Sequence, residues 1–457
     1  MKTIFAKLLR FACSLTILFL TACGGGTTAG GTTAPPPATY SISGTVTGLQ
    51  AGHSVTILYN GGSGKTVTAN GAVTLATSLT TGTGYSVTIG TQPVGQTCKV
   101  VYGTGTVGTA NITNVQVNCV TLFAYVANYG SNNVSAYTVD ATTGALTLVS
   151  STAPVPGSQP VFVTVDPSGK FAYVVNQGSN NVSAYTINAS SGALTAVTGS
   201  PFAAGSSPDS VTVDPSGKFV YVTNSVSSNV SAYTIDANSG ALTPVTGSPF
   251  TAGSNPYSVT VDPSGKFAYV ANNTSNDVSA YTIDATSGAL TLAASTPPVS
   301  GSFPTAVAVD PSGKFAYVTN QGSNNVSAYT IDATSGALTL VASTPSVSGS
   351  SPYAVTTDPR GGFVYVPNYV NNNVSAYSIN ASSGALTPVT GSPFTTGSNP
   401  YSVTVDPSGT FAYVANYTGG NVSAYTIDAA SGALTLVSST TPVLGSGPSS
   451  VTVAQPK

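Results

Sequence analysis

Charged residues are scarce in this chain of 457 residues, at 5% against roughly a quarter in an ordinary soluble protein. Tryptophan and glutamate are absent, and His53 is the only histidine. With eleven basic residues and a net charge of -2, the chain lacks the positive surface that nucleic-acid binding needs, which excludes DNA and RNA as partners. The shortage of titratable side chains also disfavours most enzymes, because acid–base catalysis depends on such groups.

The helix formers Glu, Lys and Arg are absent or rare, whereas Val, Thr and Tyr, which favour strands, are abundant together with Ser. The 49 glycines and 30 prolines indicate frequent turns. The composition therefore predicts an all-β protein.

Residues 1–22 have the pattern of a secretory signal, in which three basic residues precede the apolar stretch 11–20. That stretch is too short to cross a bilayer as a helix. The segment Leu20-Thr-Ala-Cys23 resembles the lipobox of bacterial lipoproteins, in which the cysteine carries the lipid. The resemblance implies that a lipid on Cys23 anchors the protein in the cell envelope, and Gly24 after the cysteine implies the outer membrane.

Residues 23–39 form a tether rich in Gly, Thr and Pro, without apolar periodicity. Residues 40–120 contain short alternating stretches separated by glycine turns, a pattern that predicts a small β-sandwich. Of the four cysteines, one lies in the signal and Cys23 is the lipid site. Cys98 and Cys119 remain as an even pair in an oxidising compartment, so a disulfide between them is predicted.

A 48-residue unit is repeated over residues 121–457. The Tyr of a Tyr-Val-X-Asn segment returns at a constant spacing, at positions 125, 173, 221, 269, 317, 365 and 413. Each unit contains four strand patterns, named A to D, with Asp-Pro-Ser-Gly turns between A and B and Asp-Ala-Thr-Ser-Gly turns between C and D. Strand B is apolar nearly throughout, which is typical of a sheet covered on both faces.

The two ends of the repeat region complement each other. The first unit begins at strand B, Phe123 to Asn128, and lacks strand A, whereas the chain finishes with an additional strand A, Ser450 to Val453. An open solenoid would need polar caps on its terminal repeats, but a circular offset of this kind leaves no terminal edge exposed. The pattern predicts a seven-bladed β-propeller closed by the C-terminal strand.

Tyr221-Val-Thr-Asn224 and Tyr317-Val-Thr-Asn320 resemble the YVTN repeat, and residues 121–457 resemble the seven-bladed lactonase-type propellers that include 6-phosphogluconolactonase. This resemblance implies hydrolysis of a lactone, which needs a group that activates water and donors that stabilise the oxyanion. The propeller contains no His and no Glu, and its only Arg, Arg360, lies in an A–B turn. The residues themselves therefore disfavour catalysis, and no catalytic residue is assigned.

Eleven of the thirteen Asp residues open A–B or C–D turns, and only Asp209 and Asp277 fall outside this pattern. One Asp per turn supplies too few oxygens for a calcium site, so no metal and no cofactor is expected. Six Asn-Val-Ser triplets match the glycosylation pattern, but we interpret their Asn as turn residues, because asparagine tolerates left-handed backbone.

Positions that vary among the seven copies are not required by the fold. Two such positions in each repeat are expected around the mouth of the central channel, on the face that carries the B–C and D–A loops. The residues after the Pro that begins strand A are Val161, Asp209, Tyr257, Thr305, Tyr353, Tyr401 and Ser449. The residues after the Asn that ends strand B are Tyr129, Gln177, Ser225, Asn273, Gln321, Tyr369 and Tyr417.

Tyrosines are concentrated at these two positions on three consecutive blades. The candidate binding residues are Tyr129, Tyr257, Tyr353, Tyr369, Tyr401, Tyr417 and, from an amide-rich loop, Asn368. They suit a neutral polar partner such as a glycan or a protein surface, although tyrosines can also simply decorate a surface of low charge. The sequence predicts a lipid-anchored binding or scaffold protein of the cell envelope, with a lactonase-family hydrolase as the alternative.

Overall fold

The computed structural model describes residues 37–93, 96–152, 158–296, 302–344, 350–441 and 446–456, and in these ranges the chain forms strands and turns without a helix. The predicted all-β class is confirmed. None of the described residues belongs to a helix long and apolar enough to cross a membrane. The signal and the lipidation site Cys23 lie outside the described residues.

The first domain is a β-sandwich, as predicted. Its strands are β1 (Tyr40–Thr47), β2 (Val55–Tyr59), β3 (Lys65–Val67), β4 (Gly71–Leu79), β5 (Gly84–Thr91), β6 (Gln96–Val101), β7 (Thr104–Thr106) and β8 (Ile112–Thr121). One sheet has the order β4-β1-β8-β6 and the other the order β3-β2-β5-β7. Ile42 and Val46 of the first sheet and Val55 and Ile57 of the second belong to one buried core.

Cys98 and Cys119 face each other in β6 and β8 and form the predicted disulfide. Closing a loop with a sequence separation of 21 stabilises the domain by about 3 kcal/mol in the chain-entropy description. We expect Cys98→Ser to lower the melting temperature of the first domain and to leave the propeller transition unchanged, because the bond lies wholly within the sandwich. Differential scanning calorimetry checks this, and a shift of the propeller transition would contradict it.

Seven further sheets form the blades of the propeller, numbered from the first repeat. The A strands of blades 1 to 7 are Pro448–Ala454, Pro160–Val165, Pro208–Val213, Pro256–Val261, Pro304–Val309, Thr356–Thr357 and Pro400–Val405. The B strands are Phe123–Asn128, Phe171–Asn176, Phe219–Asn224, Phe267–Asn272, Phe315–Asn320, Phe363–Asn368 and Phe411–Asn416. The C strands are Asn133–Val139, Asn181–Ile187, Asn229–Ile235, Asp277–Ile283, Asn325–Ile331, Asn373–Ile379 and Asn421–Ile427.

The outer D strand has two forms. It is continuous in blades 1, 4, 5 and 7, as Leu146–Ser151, Leu290–Ser295, Leu338–Ser343 and Leu434–Ser439. In blades 2, 3 and 6 it is divided into two short pieces, Leu194–Ala196 with Phe202–Ala203, Leu242–Pro244 with Phe250–Thr251, and Leu386–Pro388 with Phe394–Thr395. Both pieces pair with the C strand of the same blade.

The B strands form the core of the ring, and all six residues of each are buried. The repeated Tyr of each B strand donates its hydroxyl to the carbonyl oxygen of a Gly in the C–D turn of the next blade, in all seven blades. For Tyr221 and Gly288 the distance is 3.0 Å. The bond from Tyr413 to Gly144 joins blade 7 to blade 1. The motif tyrosine therefore connects neighbouring blades around a closed ring.

The aspartates of the A–B turns bind backbone rather than ligand. In one such turn Oδ1 of Asp214 accepts hydrogen bonds from the N–H groups of Lys218 at 2.8 Å and Phe219 at 2.7 Å.

In the B–C hairpins the left-handed backbone conformation falls on the residue before the Asn-Val-Ser triplet, and not on the Asn of the triplet as the sequence predicts. Asn180, before the Asn-Val-Ser triplet, has φ 54°, whereas Asn181 of the triplet accepts a hydrogen bond from the Asn that ends strand B.

The C-terminal strand closes the ring as predicted. Strand Pro448–Ala454 pairs with Phe123–Asn128, with Val451 opposite Val126.

The first domain contacts the propeller on the face that carries the A–B and C–D turns. Nε2 of Gln50 donates a hydrogen bond to the carbonyl oxygen of Ser190 in a C–D turn at 2.7 Å. The channel mouth with the variable positions is on the opposite face.

Candidate functional site

A small cavity, here called the lower cavity, lies at the mouth of the channel. All seven variable positions near the start of strand A line it: Val161, Asp209, Tyr257, Thr305, Tyr353, Tyr401 and Ser449. Its volume is about 60 Å³, which leaves room for a few water molecules. The structure thus brings together one residue from each of the seven blades.

A wider cavity of about 310 Å³, here called the upper cavity, adjoins it. Tyr129, Gln177, Tyr369 and Tyr417, which follow the ends of four B strands, line it. The two cavities share four wall residues: Val161, Tyr257, Tyr401 and Ser449. Because of these shared walls, a ligand in the upper cavity lies directly against the lower one.

Five tyrosines pack in a continuous row on one side of the mouth, and we call this row the tyrosine arc. The centroids of neighbouring rings are 6.1 Å apart for Tyr129 and Tyr417, 5.9 Å for Tyr417 and Tyr401, and 4.2 Å for Tyr401 and Tyr353. Tyr369 completes the row at 5.7 Å from Tyr353. Such ring pairs stabilise one another by about 0.5–1.5 kcal/mol each, so the arc is a preorganised aromatic surface.

Tyr257 lies beside the arc, and the hydroxyl of Tyr353 faces those of Tyr257 and Tyr401. Burial raises the pKa of all three tyrosines, and the charge of Asp209 raises it further. The three hydroxyls therefore remain protonated at neutral pH and can donate hydrogen bonds.

Asp209 is the one carboxylate among the described residues that line the two cavities. It is only 9% exposed. Its Oδ1 accepts a hydrogen bond from Nε2 of Gln177 at 2.6 Å, whereas Oδ2 has no partner. The neighbouring Ser225 hydroxyl donates to the carbonyl oxygen of Ser207 at 2.9 Å. Burial raises the pKa of Asp209 to about 6, and the side chains of Ser225 and Gln177 offset part of the rise.

Asn368 is not available to a ligand, contrary to the prediction from the sequence. It is buried, and its Nδ2 donates to Oδ1 of Asn373 at 2.7 Å and to Oγ of Ser375 at 2.8 Å. The Asn that ends strand B in every other blade makes the same two bonds. Asn368 therefore maintains the fold and leaves the candidate set.

Comparison of the repeats did not single out Asp209 and Gln177 as binding residues, because both lie outside the tyrosine-rich blades. One signal was present, since Asp209 and Asp277 are the two aspartates outside the turn pattern. Asp277 proves to be structural: its Oδ1 accepts from Asn272 at 2.9 Å and from Ser275 at 2.8 Å. Only the packing of the folded protein distinguishes Asp209, which lines a cavity, from Asp277, which maintains the fold.

Blade 6 is irregular where Tyr353 reaches the mouth. Pro367 stands at a B-strand position that holds Ala, Val or Thr in the other repeats, and proline has no N–H to donate to strand A. Regular A–B pairing is therefore reduced to Thr356–Thr357, and the N–H of Tyr353 donates to the carbonyl oxygen of Pro367 at 3.2 Å. The equivalent Tyr401 of blade 7 lies in the continuous strand Pro400–Val405.

Positive charge is missing from the mouth as far as the structure describes it, because neither Lys nor Arg lines either cavity. Arg360 is on the opposite face, where its Nε lies 2.9 Å from Oδ2 of Asp358. The described ranges contain no group of three His, Cys, Asp or Glu side chains that could hold a metal ion. The site can supply one carboxylate and several hydroxyl donors.

The profile of a family described as "Lactonase, 7-bladed beta-propeller" matches the chain in four overlapping segments, residues 94–207, 200–254, 246–351 and 340–456. The chain belongs to this lactonase propeller family. The resemblance inferred from the YVTN repeats is confirmed.

Solved structures share the fold of this family member. A candidate 6-phosphogluconolactonase from Bacteroides fragilis has a TM-score of 0.65 and 20% identity, covering 73% of this chain and 98% of its own. The periplasmic gluconolactonase of Pseudomonas aeruginosa has a TM-score of 0.63 and 21% identity, covering 73% of this chain and 99% of its own. At such identities the likeness establishes the fold. No curated protein matches the chain.

Proposed function

We propose that this lactonase-family propeller binds and hydrolyses a neutral sugar lactone at the mouth of its channel. One observation carries the proposal: the buried carboxylate of Asp209, whose Oδ2 has no partner, lines the lower cavity together with Tyr257, Tyr353 and Tyr401. Hydrolysis of a lactone needs a base that activates water and donors that stabilise the oxyanion. Family membership supports this chemistry over a scaffold without a reaction.

Charge favours a lactone without a phosphate. Proteins generally hold phosphate with Arg or Lys, and neither lines the two cavities within the described ranges. The ionised carboxylate of Asp209 would also repel a phosphate. The compound to test first is therefore a neutral gluconolactone, in line with the name of the Pseudomonas gluconolactonase, and we choose glucono-1,5-lactone.

The tyrosine arc supports the binding step. The upper cavity of about 310 Å³ has the size of a small-ligand pocket. Aromatic faces can pack against the apolar C–H face of a sugar ring, while their hydroxyls bond its polar groups. The lactone ring would lie on Tyr369, Tyr401 and Tyr417, with its carbonyl directed towards the lower cavity.

Recognition without turnover is the second candidate function. It is favoured by the absence of His and Glu from the propeller sequence. The same tyrosine arc would then bind a neutral glycan or protein surface, as a sequence of low charge suggests.

Either function fits a site at the cell envelope. The proposed lipid on Cys23 would hold the chain at the outer membrane, with the sandwich between the tether and the propeller. Because the sandwich contacts the C–D turn face through Gln50, the mouth would be directed away from that contact and left open to a soluble or wall-bound ligand.

We expect Tyr369→Ala and Tyr417→Ala each to weaken binding of glucono-1,5-lactam, a ring analogue that is not hydrolysed as an ester. Each ring is a wall of the upper cavity, and removing a buried aromatic anchor costs about 1–2 kcal/mol, or roughly 5- to 30-fold in Kd. Titration calorimetry measures the effect. Tyr102→Ala, at an exposed tyrosine of the sandwich, is the control and should bind as the wild type does.

Turnover is measured separately, as acid released from glucono-1,5-lactone after subtraction of spontaneous hydrolysis. Catalysed release by the wild type supports the hydrolase. Binding of the lactam without turnover transfers the assignment to the second candidate, and absence of both binding and turnover overturns the hydrolase. Faster turnover of the 6-phosphorylated lactone would refute the preference for a neutral ring.

A further inference from the structure

The setting of Asp209 differs from that of the turn aspartates. In the A–B turns, both oxygens of each buried carboxylate are bonded, as in Asp262, whose partners are the N–H groups of Lys266, Phe267 and Ser264 and the Ser264 hydroxyl. In Asp209 only Oδ1 is bonded, and Oδ2 is buried without a partner. A buried acceptor costs folding free energy unless a water or a ligand satisfies it, and Asp209 lines the lower cavity, which has room for a water molecule.

The surroundings of Asp209 fit one chemical role. Gln177 comes from the end of the B strand in blade 2 and orients the carboxylate through Oδ1 at 2.6 Å. Tyr257, Tyr353 and Tyr401 are the titratable groups that face it across the lower cavity. No cationic side chain among the described lining residues neutralises it. The carboxylate is therefore free to accept a proton, with hydroxyl donors beside it.

We infer that Asp209 is the general base of the proposed lactone hydrolysis, that Gln177 is its positioning residue, and that the hydroxyls of Tyr257 and Tyr353 bind the carbonyl oxygen of the substrate. This inference rests on the proposed function and deepens it. The lower cavity, at about 60 Å³, would hold the attacking water, while the upper cavity holds the lactone ring.

The reaction balances with water as the only co-reactant. Oδ2 of Asp209 takes a proton from the water as its oxygen forms a bond to the carbonyl carbon, and the tyrosine hydroxyls stabilise the negative charge that develops on the carbonyl oxygen. The tetrahedral intermediate then breaks the bond between this carbon and the ring oxygen. The proton on Asp209 passes to that oxygen, which leaves as an alcohol, so the product is the open hydroxy acid and the carboxylate is restored.

Asp209 must be ionised to accept a proton from water, and this requirement sets the pH dependence of the reaction. Because burial raises the pKa of Asp209 to about 6, kcat/KM should rise as pH increases through about 6 and level off above it. The three facing tyrosines stay protonated over this range, because burial raises their pKa as well. Gln177 stabilises the ionised carboxylate, so Gln177→Ala should move the apparent pKa upwards.

The decisive experiment measures hydrolysis of glucono-1,5-lactone by the full mature chain between pH 5 and 8 for the wild type, Asp209→Asn and Asp277→Asn. Asp209→Asn should lower kcat by at least about 100-fold and abolish the rise near pH 6, while lactam affinity changes by less than about threefold. Asp277→Asn is the matched control, since the other six repeats carry Asn there, and it should behave as the wild type does.

The possible results separate the two claims. If the wild type hydrolyses the lactone and Asp209→Asn does so equally well, the assignment of Asp209 fails and the proposed function stands. If kcat/KM of the wild type does not rise near pH 6, the assignment of Asp209 fails. This result does not depend on the variants, so it holds even if Asp209→Asn does not fold. If the wild type shows no turnover, both claims fail. Gln177→Ala with an unchanged apparent pKa would remove Gln177 from its positioning role.

Discussion

Removal of residues 449–457 is expected to abolish the cooperative unfolding of the propeller and to cause aggregation. These residues supply nearly the whole A strand of blade 1, which pairs with Phe123–Asn128 and places the buried Val451 in the core. Loss of about five ladder hydrogen bonds at about 1 kcal/mol each approaches the total stability of a typical domain. The strand of residues 123–128, buried on both faces, would also present a free edge to other chains.

Calorimetry and size-exclusion chromatography measure this effect. A shorter truncation that removes only Pro456 and Lys457 keeps the strand and serves as the control, with a melting temperature within a few degrees of the full chain. If the longer truncation also melts as the full chain does, the C-terminal strand does not close the ring.

Gly240→Ala is expected to destabilise the propeller by about 3 kcal/mol. Gly240 has φ +76°, where an L-residue costs about 1–2 kcal/mol, and a Cβ there would overlap the ring of Phe171 from the preceding blade. Overpacking of this kind costs a further 1–3 kcal/mol or so. The carbonyl oxygen of Gly240 also accepts the hydroxyl of Tyr173 at 3.1 Å, so any shift of the turn strains the contact between blades.

Gly217→Ala isolates the packing term. Gly217 has nearly the same φ, +71°, but the nearest atom to an added Cβ is Cδ of Pro167 at 3.7 Å, an ordinary contact. The control should therefore lose only the backbone contribution, about 1–2 kcal/mol. Urea denaturation gives both free energies of unfolding. Equal losses in the two variants would show that the contact between Phe171 and Gly240 does not limit how closely the blades pack.

Most of the fold could be predicted because its signals are local and repeated. The constant spacing of the motif tyrosines predicted seven blades, the apolar strand B predicted burial on both faces, and the spare strand at residues 450–453 predicted closure of the ring. Pro367 marks the limit of that reasoning. A single residue without an N–H reduces the A strand of blade 6 to Thr356–Thr357, which the pattern of the other repeats does not anticipate.

The candidate site was only partly predictable. Variation among the repeats located the seven lining positions of the lower cavity and the tyrosine arc, because residues that the fold does not need are free to differ. The same comparison included Asn368 and overlooked the bond between Gln177 and Asp209. Asn368 belongs to the candidate set predicted from the sequence because it opens an amide-rich loop, but its amide is buried in a network present in every blade.

The blade number, the order of strands, the ring closure and the family follow from residue types at a regular spacing along the chain, and the disulfide follows from the two cysteines left to pair. Which side chains keep free polar atoms depends on the folded structure. Asp209 and Gln177 belong to different blades and are 32 residues apart, and they meet only because the ring brings all seven blades to one axis. Burial and pairing across that axis depend on packing, which residue spacing does not encode.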